Sequence, residues 1–130
     1  MGNKYLAKVI AKDNQGLKLI SACCFKAKIK VSELKYLRKN QIFLVFLKRF
    51  LLENEGDKKE INSVCKFEFV ENVKSKNINQ SDKDLTLELL TINLLKNNEK
   101  FDISLVFSNN AYIMLSTEVI EATLEDQSAI

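Results

Sequence analysis

Four stretches of this chain alternate apolar and polar residues with a period of two, which commits them to strands with one face in a core. Phe25, Ala27, Ile29 and Val31 alternate with Lys26, Lys28 and Lys30, predicting a basic outer face. Cys65, Phe67 and Phe69 alternate with Lys66 and Glu68, and Phe101, Ile103, Leu105 and Phe107 repeat the pattern. In the tail, Ile120, Ala122 and Leu124 alternate with Glu121, Thr123 and Glu125, although Glu118, Glu121 and Glu125 would also share a helical face. We expect a strand there, shifted in register near Val119 by a bulge that bends it around a curved sheet.

Two further segments are apolar almost throughout. Ile42 to Leu52 is apolar at nine of eleven positions, interrupted by Lys48 and Arg49, and Leu85 to Leu95 is similar. The first of these, Ile42–Leu52, is expected to be covered on both faces. For Ile42–Leu52 the cover would be the helix above a central strand, or a second copy of the chain.

One segment has helical spacing. Leu17, Ile20, Cys24 and Ala27 form an apolar stripe, with Asp13 or Asn14 as the cap and an end near Cys24 or Phe25. Tyr5 to Ala11 reads as the first strand, an irregularity is expected at Ser32–Glu33, and Leu34 to Leu37 continues the second. Arg38 to Gln41, Asn97 to Lys100 and Asn109–Asn110 read as turns, the last because asparagine tolerates positive φ. Glu53 to Glu60 reads as a charged loop, Lys74 to Asp84 as a mobile polar one, and Tyr112 to Thr117 as a seventh strand. The expected fold is therefore α+β and mainly antiparallel. About seven strands form a curved sheet or barrel-like core, with one N-terminal helix between strands 1 and 2.

Composition narrows the chemistry. At 130 residues one domain is expected. The longest apolar run, Ile42 to Leu47, is far short of the roughly 20 residues that span a bilayer. The N-terminus lacks a signal-peptide core, and Leu6 stands where a myristoylation signal after Gly2 wants Ser or Thr. A cytoplasmic protein without membrane contact is expected. Three cysteines without CxxC spacing read as reduced structural thiols, and with no histidine to join them no metal site is expected. The missing histidine also removes Ser-His and Cys-His nucleophile systems. The three glycines stand too far apart to cradle a phosphate, and Asp82 with Asp84 lacks the rest of a calcium loop. We expect no cofactor.

The net charge of +3 divides unevenly, with residues 1–65 at +8 and residues 66–130 at −5. Eighteen of the 20 basic residues are lysine, a poor complement for nucleic acid, whose phosphates and bases suit the guanidinium fork. The set that would nevertheless contact RNA is Lys26, Lys28, Lys30, Arg38 and Lys39, with Tyr36 for stacking. Glu118 and Glu121 are the carboxylates an enzyme would use, though no catalytic constellation surrounds them in sequence.

Leu17-Lys-Leu-Ile20-Ser21-Ala22, Lys30-Val31-Ser-Glu-Leu34-Lys-Tyr36-Leu37, Phe43 through Arg49-Phe50, and Glu118-Val-Ile120-Glu121-Ala122-Thr-Leu124-Glu-Asp126 together resemble the family catalogued as domain of unknown function 2948. The resemblance runs from about Leu6 to Asp126 and implies a small alphaproteobacterial protein, with no activity to carry over. The chain departs from that pattern at Arg38, where relatives tend to have proline, and at Ser32, where they tend to have glycine. The polar positions that match are Tyr36, Arg49, Glu118, Glu121 and Asp126, which makes them candidate binding residues. An internal Arg–Glu pair holding the last strand explains them equally well. The leading expectation is a non-enzymatic protein-binding module, possible as a homodimer through Ile42–Leu52. An RNA or ribosome contact and a small enzyme using Glu118 or Glu121 are the alternatives.

Overall fold

The computed structural model describes residues 7–52 and 58–127. The helix α1 spans Asn14–Cys23, and Asp13 caps it by accepting a 2.8 Å hydrogen bond from the Gly16 amide. Leu17, Ile20 and Cys24 are buried, as their spacing predicts. Ten strands occur among the described residues: β1 (Lys8–Ala11), β2 (Lys28–Lys30), β3 (Leu34–Leu37), β4 (Ile42–Leu52), β5 (Lys58–Phe67), β6 (Val70–Lys76), β7 (Thr86–Asn97), β8 (Lys100–Phe107), β9 (Tyr112–Thr117) and β10 (Ala122–Asp126).

Every pairing among the described strands is antiparallel, in the order β1, β10, β5, β4, β2, β7, β8, β9, β6, with β3 beside the first half of β4. The period-two expectation thus holds, with more strands than the seven expected and with a sheet that stays open. The path ends at β1 and β6, and β3, paired only with β4, is a further edge. Strand β7 joins the halves: Thr86 to Glu88 pair with β2, and from Leu89 onward it pairs with β8 through a bulge between Leu89 and Thr91. Both halves curl over one core, in which Phe67, Phe107, Ile29, Ile103, Leu115 and Leu124 are at most 1% exposed. Each such side chain contributes about 1.5–3 kcal/mol of transfer free energy.

Several expectations need correction. The helix packs on β1, β7 and β10, not over β4. Strand β4 alternates instead: Phe43, Val45, Leu47 and Arg49 are buried, while Ile42, Leu44, Phe46 and Phe50 are half-buried on the other face. One edge of β4 pairs with β5 from Phe43 to Leu52 and the other with β3 from Ile42 to Val45 and with β2 at Lys48, so a second copy would meet chiefly that outer face. Phe25 is 55% exposed and Lys26 has φ 65°, because the chain turns out of the helix there before β2 begins. A 3-10 turn at Val31–Glu33 separates β2 from β3, at the irregularity expected around Ser32–Glu33. Val70–Lys76 is an unforeseen edge strand that takes in the start of the expected polar loop. Residues 53–57 of the expected charged loop lie outside the described residues, and Lys58 to Glu60 already belong to β5. The tail is not a bulged continuation of β9. The chain bends at residues 118–121 and crosses to the other half, where β10 inserts between β1 and β5.

Arg49 and Asp126 form the charged contact of the interior. Arg49 Nε donates to Asp126 Oδ1 at 2.8 Å and Nη2 to Oδ2 at 2.7 Å. Ser63 Oγ donates to Oδ1 at 2.6 Å, and the Ala7 amide to Oδ2 at 2.8 Å. Burial alone would push the Asp126 carboxyl up, but these donors outweigh it and hold it below the usual range. Beside the pair, burial pushes the Cys24 thiol up to about 12 and raises Cys65 strongly. All three cysteines are unpaired, with Cys23 half-buried.

Candidate functional site

Three connections converge at one end of the sheet: residues 38–41 between β3 and β4, 68–69 between β5 and β6, and 118–121 between β9 and β10. Short-range pattern does not bring them together; sheet register does, by placing Phe43, Phe67 and Ala122 opposite one another. Two backbone hydrogen bonds then tie the connections. The Glu68 amide donates to the Glu121 carbonyl at 2.9 Å, and the Val70 amide donates to the Gln41 carbonyl at 2.8 Å. Tyr36 adds a third, its hydroxyl donating to the Val70 carbonyl at 2.8 Å across the open seam between β3 and β6.

Phe69 sits between the two tied amides at φ 59°. A bulky residue in the left-handed region costs of order 1–2 kcal/mol, and here its neighbours' hydrogen bonds hold it there. Its side chain is 45% exposed, contrary to the inward position that the Cys65–Phe67 alternation predicts. Leu37 and Val119, on or beside the other two connections, are 42% and 46% exposed. Arg38 lies with its guanidinium carbon 5.8 Å from the Tyr36 ring centre, within cation–π range.

Charge rims this end. Lys100 Nζ lies 2.7 Å from Glu71 Oε1, and the Glu118 carboxyl neighbours Glu71. The two carboxyls divide the work. The Lys100 ammonium lowers Glu71, and the neighbouring Glu71 carboxyl raises Glu118. Lys66 Nζ stands 3.8 Å from Glu68 Oε2.

Of the candidate residues, Tyr36, Glu118 and Glu121 belong to this end. Arg49 and Asp126 do not. They are 4% and 5% exposed and pair with each other, so the charge partner of Arg49 is Asp126 and not a glutamate. Six residues of β4 separate Phe43 from Arg49, about 20 Å along a strand. Neither Glu118 nor Glu121 lines the groove of about 1020 Å³ beside α1, nor the smaller cavities at Cys24 and at Val31.

The basic set is dispersed. Lys28 pairs in register with Lys48 and makes a 3.4 Å ion pair with Glu88, whereas Arg38 and Lys39 lie beyond the Leu37–Ile42 pair. That separation is again about 20 Å along β4. Sequence reasoning missed Phe69, since no glycine or asparagine marks its left-handed backbone.

Among the described residues the protein is an open, curled antiparallel sheet with a single α-helix, carrying a strained exposed aromatic at one end. The chain belongs to the DUF2948 family, described as a protein of unknown function, whose model matches residues 7–130. No curated protein and no solved structure matches it. No described helix is long and apolar enough to cross a membrane.

Proposed function

We propose that this protein is a non-enzymatic accessory module that docks onto another protein through the end formed by residues 37–41, 68–71 and 118–121. The observation that carries the reading is Phe69, fixed at φ 59° and 45% exposed between two long-range hydrogen bonds. Strain of this kind persists where surrounding structure enforces it, and exposed aromatics ringed by charge are the usual anchors of interfaces. The dispersal of the lysine set, with Lys28 already engaged by Glu88, favours a protein partner over RNA.

A tagged pull-down from native cells, with and without nuclease, tests this. A partner should persist after nuclease and be lost with Phe69→Ala. Retention by that variant moves the interface elsewhere, and loss on nuclease treatment favours RNA through Lys26, Lys28, Lys30, Arg38 and Lys39. If the partner captured is a second copy of the chain, Phe46→Lys on the outer face of β4 separates that interface from the Phe69 end.

A further inference from the structure

The second half of the sheet turns one face to the core and leaves the other uncovered by any described element. Register arranges that outer face as a grid. Lys76, Tyr112, Val106 and Thr91 form one row across β6, β9, β8 and β7, and Lys74, Met114, Ser104 and Asn93 form the next. The α1 helix walls the β7 side, because Ser21 Oγ lies 3.3 Å from Thr91 Oγ1 and accepts from the Ile92 amide at 2.9 Å. Lys18 and Asn14 continue that wall at helical spacing. Wall and sheet enclose a groove of about 1020 Å³.

The chemistry of this groove is one-sided. Its charged lining residues are Lys18 and Lys76, on opposite flanks, with no carboxylate among the lining residues. Three strand spacings, roughly 14 Å, separate Lys76 from the helix-side row. Five asparagines line the groove, on its wall, rim and floor, while Val106 and Met114 make the floor's apolar part. On the same sheet face the carboxylate of Asp102 is one row further out and engaged by Ser116 and Asn97, both at 3.3 Å.

We infer that this groove binds an acidic, extended segment of a partner protein, its carboxylates on Lys18 and Lys76 and its apolar side chains on Val106 and Met114. Opposed lysines without a competing carboxylate supply charge complementarity, and the amide rim supplies donors and acceptors for an extended backbone. RNA fits less well. Tyr112 is the one aromatic on the two rows, and no arginine lines the groove. The inference is independent of the Phe69 surface.

The test is fluorescence anisotropy with a labelled eight-residue peptide of alternating glutamate and leucine. Its controls are the lysine–leucine counterpart and an eight-nucleotide U-rich RNA. The acidic peptide should bind, more weakly as salt rises, and the Lys18→Glu/Lys76→Glu variant should lose roughly tenfold in affinity. Phe69→Ala should bind it unchanged. Both lysines are exposed, but if the double variant fails to fold, Asn93→Asp supplies a repelling carboxylate on the floor and should also weaken binding. Absent binding, equal binding of the basic peptide, tighter binding of the RNA or wild-type affinity in a folded charge variant would each overturn the inference.

Discussion

Arg49 and Asp126 stand 77 residues apart in sequence and meet in a two-pronged contact at 2.7 and 2.8 Å, with the carboxylate also bonded by Ser63 and the Ala7 amide. The contact therefore fastens β4, β5, β10 and the residue preceding β1 at one point.

Asp126→Asn should cost about 3–5 kcal/mol, because it leaves the Arg49 guanidinium buried without its counter-charge. Replacing both partners, as Arg49→Met with Asp126→Leu, should cost less than either single change. Urea denaturation of the four proteins checks the ordering.

The same carboxylate gives a pH signature. Its folded pKa lies below its unfolded value of about 3.9, so the contribution is complete above that value and lost as pH falls through the folded pKa. Acid titration should show this slope below about pH 4 in the wild type and a shallower one in Asp126→Asn.

Gly16 sits in the first turn of α1 against β1, where an added Cβ would lie 2.7 Å from the Ala11 Cα and 2.8 Å from its Cβ. Gly→Ala in an open helix gains about 1 kcal/mol. Here it should instead destabilise by about 1–3 kcal/mol, since backbone must move to admit the methyl. Thermal melts of Gly16→Ala decide the sign.

Phe69→Gly separates stability from binding. Removing the side chain relieves the left-handed backbone, so stability should hold or rise by up to about 1 kcal/mol. Partner capture should fail in the same variant. A large loss of stability would instead make Phe69 a packing residue.

Thiol labelling should distinguish the cysteines. Cys23, half-buried, should react first in the native protein, while Cys24 and Cys65 react only on unfolding because burial keeps their thiols protonated. Peptide mapping after timed labelling reads this order.

Strands with unbroken alternation, such as β8, were legible from local sequence, as were the Asp13 cap and the Asn109–Asn110 turn, whose residues have φ 63° and 60°. Strand β6 was not, because it is a polar edge whose bulge between Val70 and Asn72 breaks the period. The crossover into β10 was hidden for another reason. Ala122 to Asp126 alternate identically whether they extend β9 or pair with β5, and only long-range register decides. Of the candidate residues, family pattern grouped Tyr36, Arg49, Glu118, Glu121 and Asp126, but register splits them between an interior clasp and an exposed end. The groove along β7, β8 and β9 was illegible because its lysines come from α1 and β6, elements that sequence spacing does not bring together.

The insertion of β10 between β1 and β5 bears on how the protein is made. During synthesis β1, α1, β4 and β5 all emerge before the strand that joins the first to the last of them. Until residues 122–126 are available, β1 has no strand partner and Arg49 lacks Asp126 as counter-ion, so the first half of the sheet cannot settle ahead of the last. A nascent chain stalled before residue 122 should expose β5 as a bare edge open to chaperone capture or aggregation.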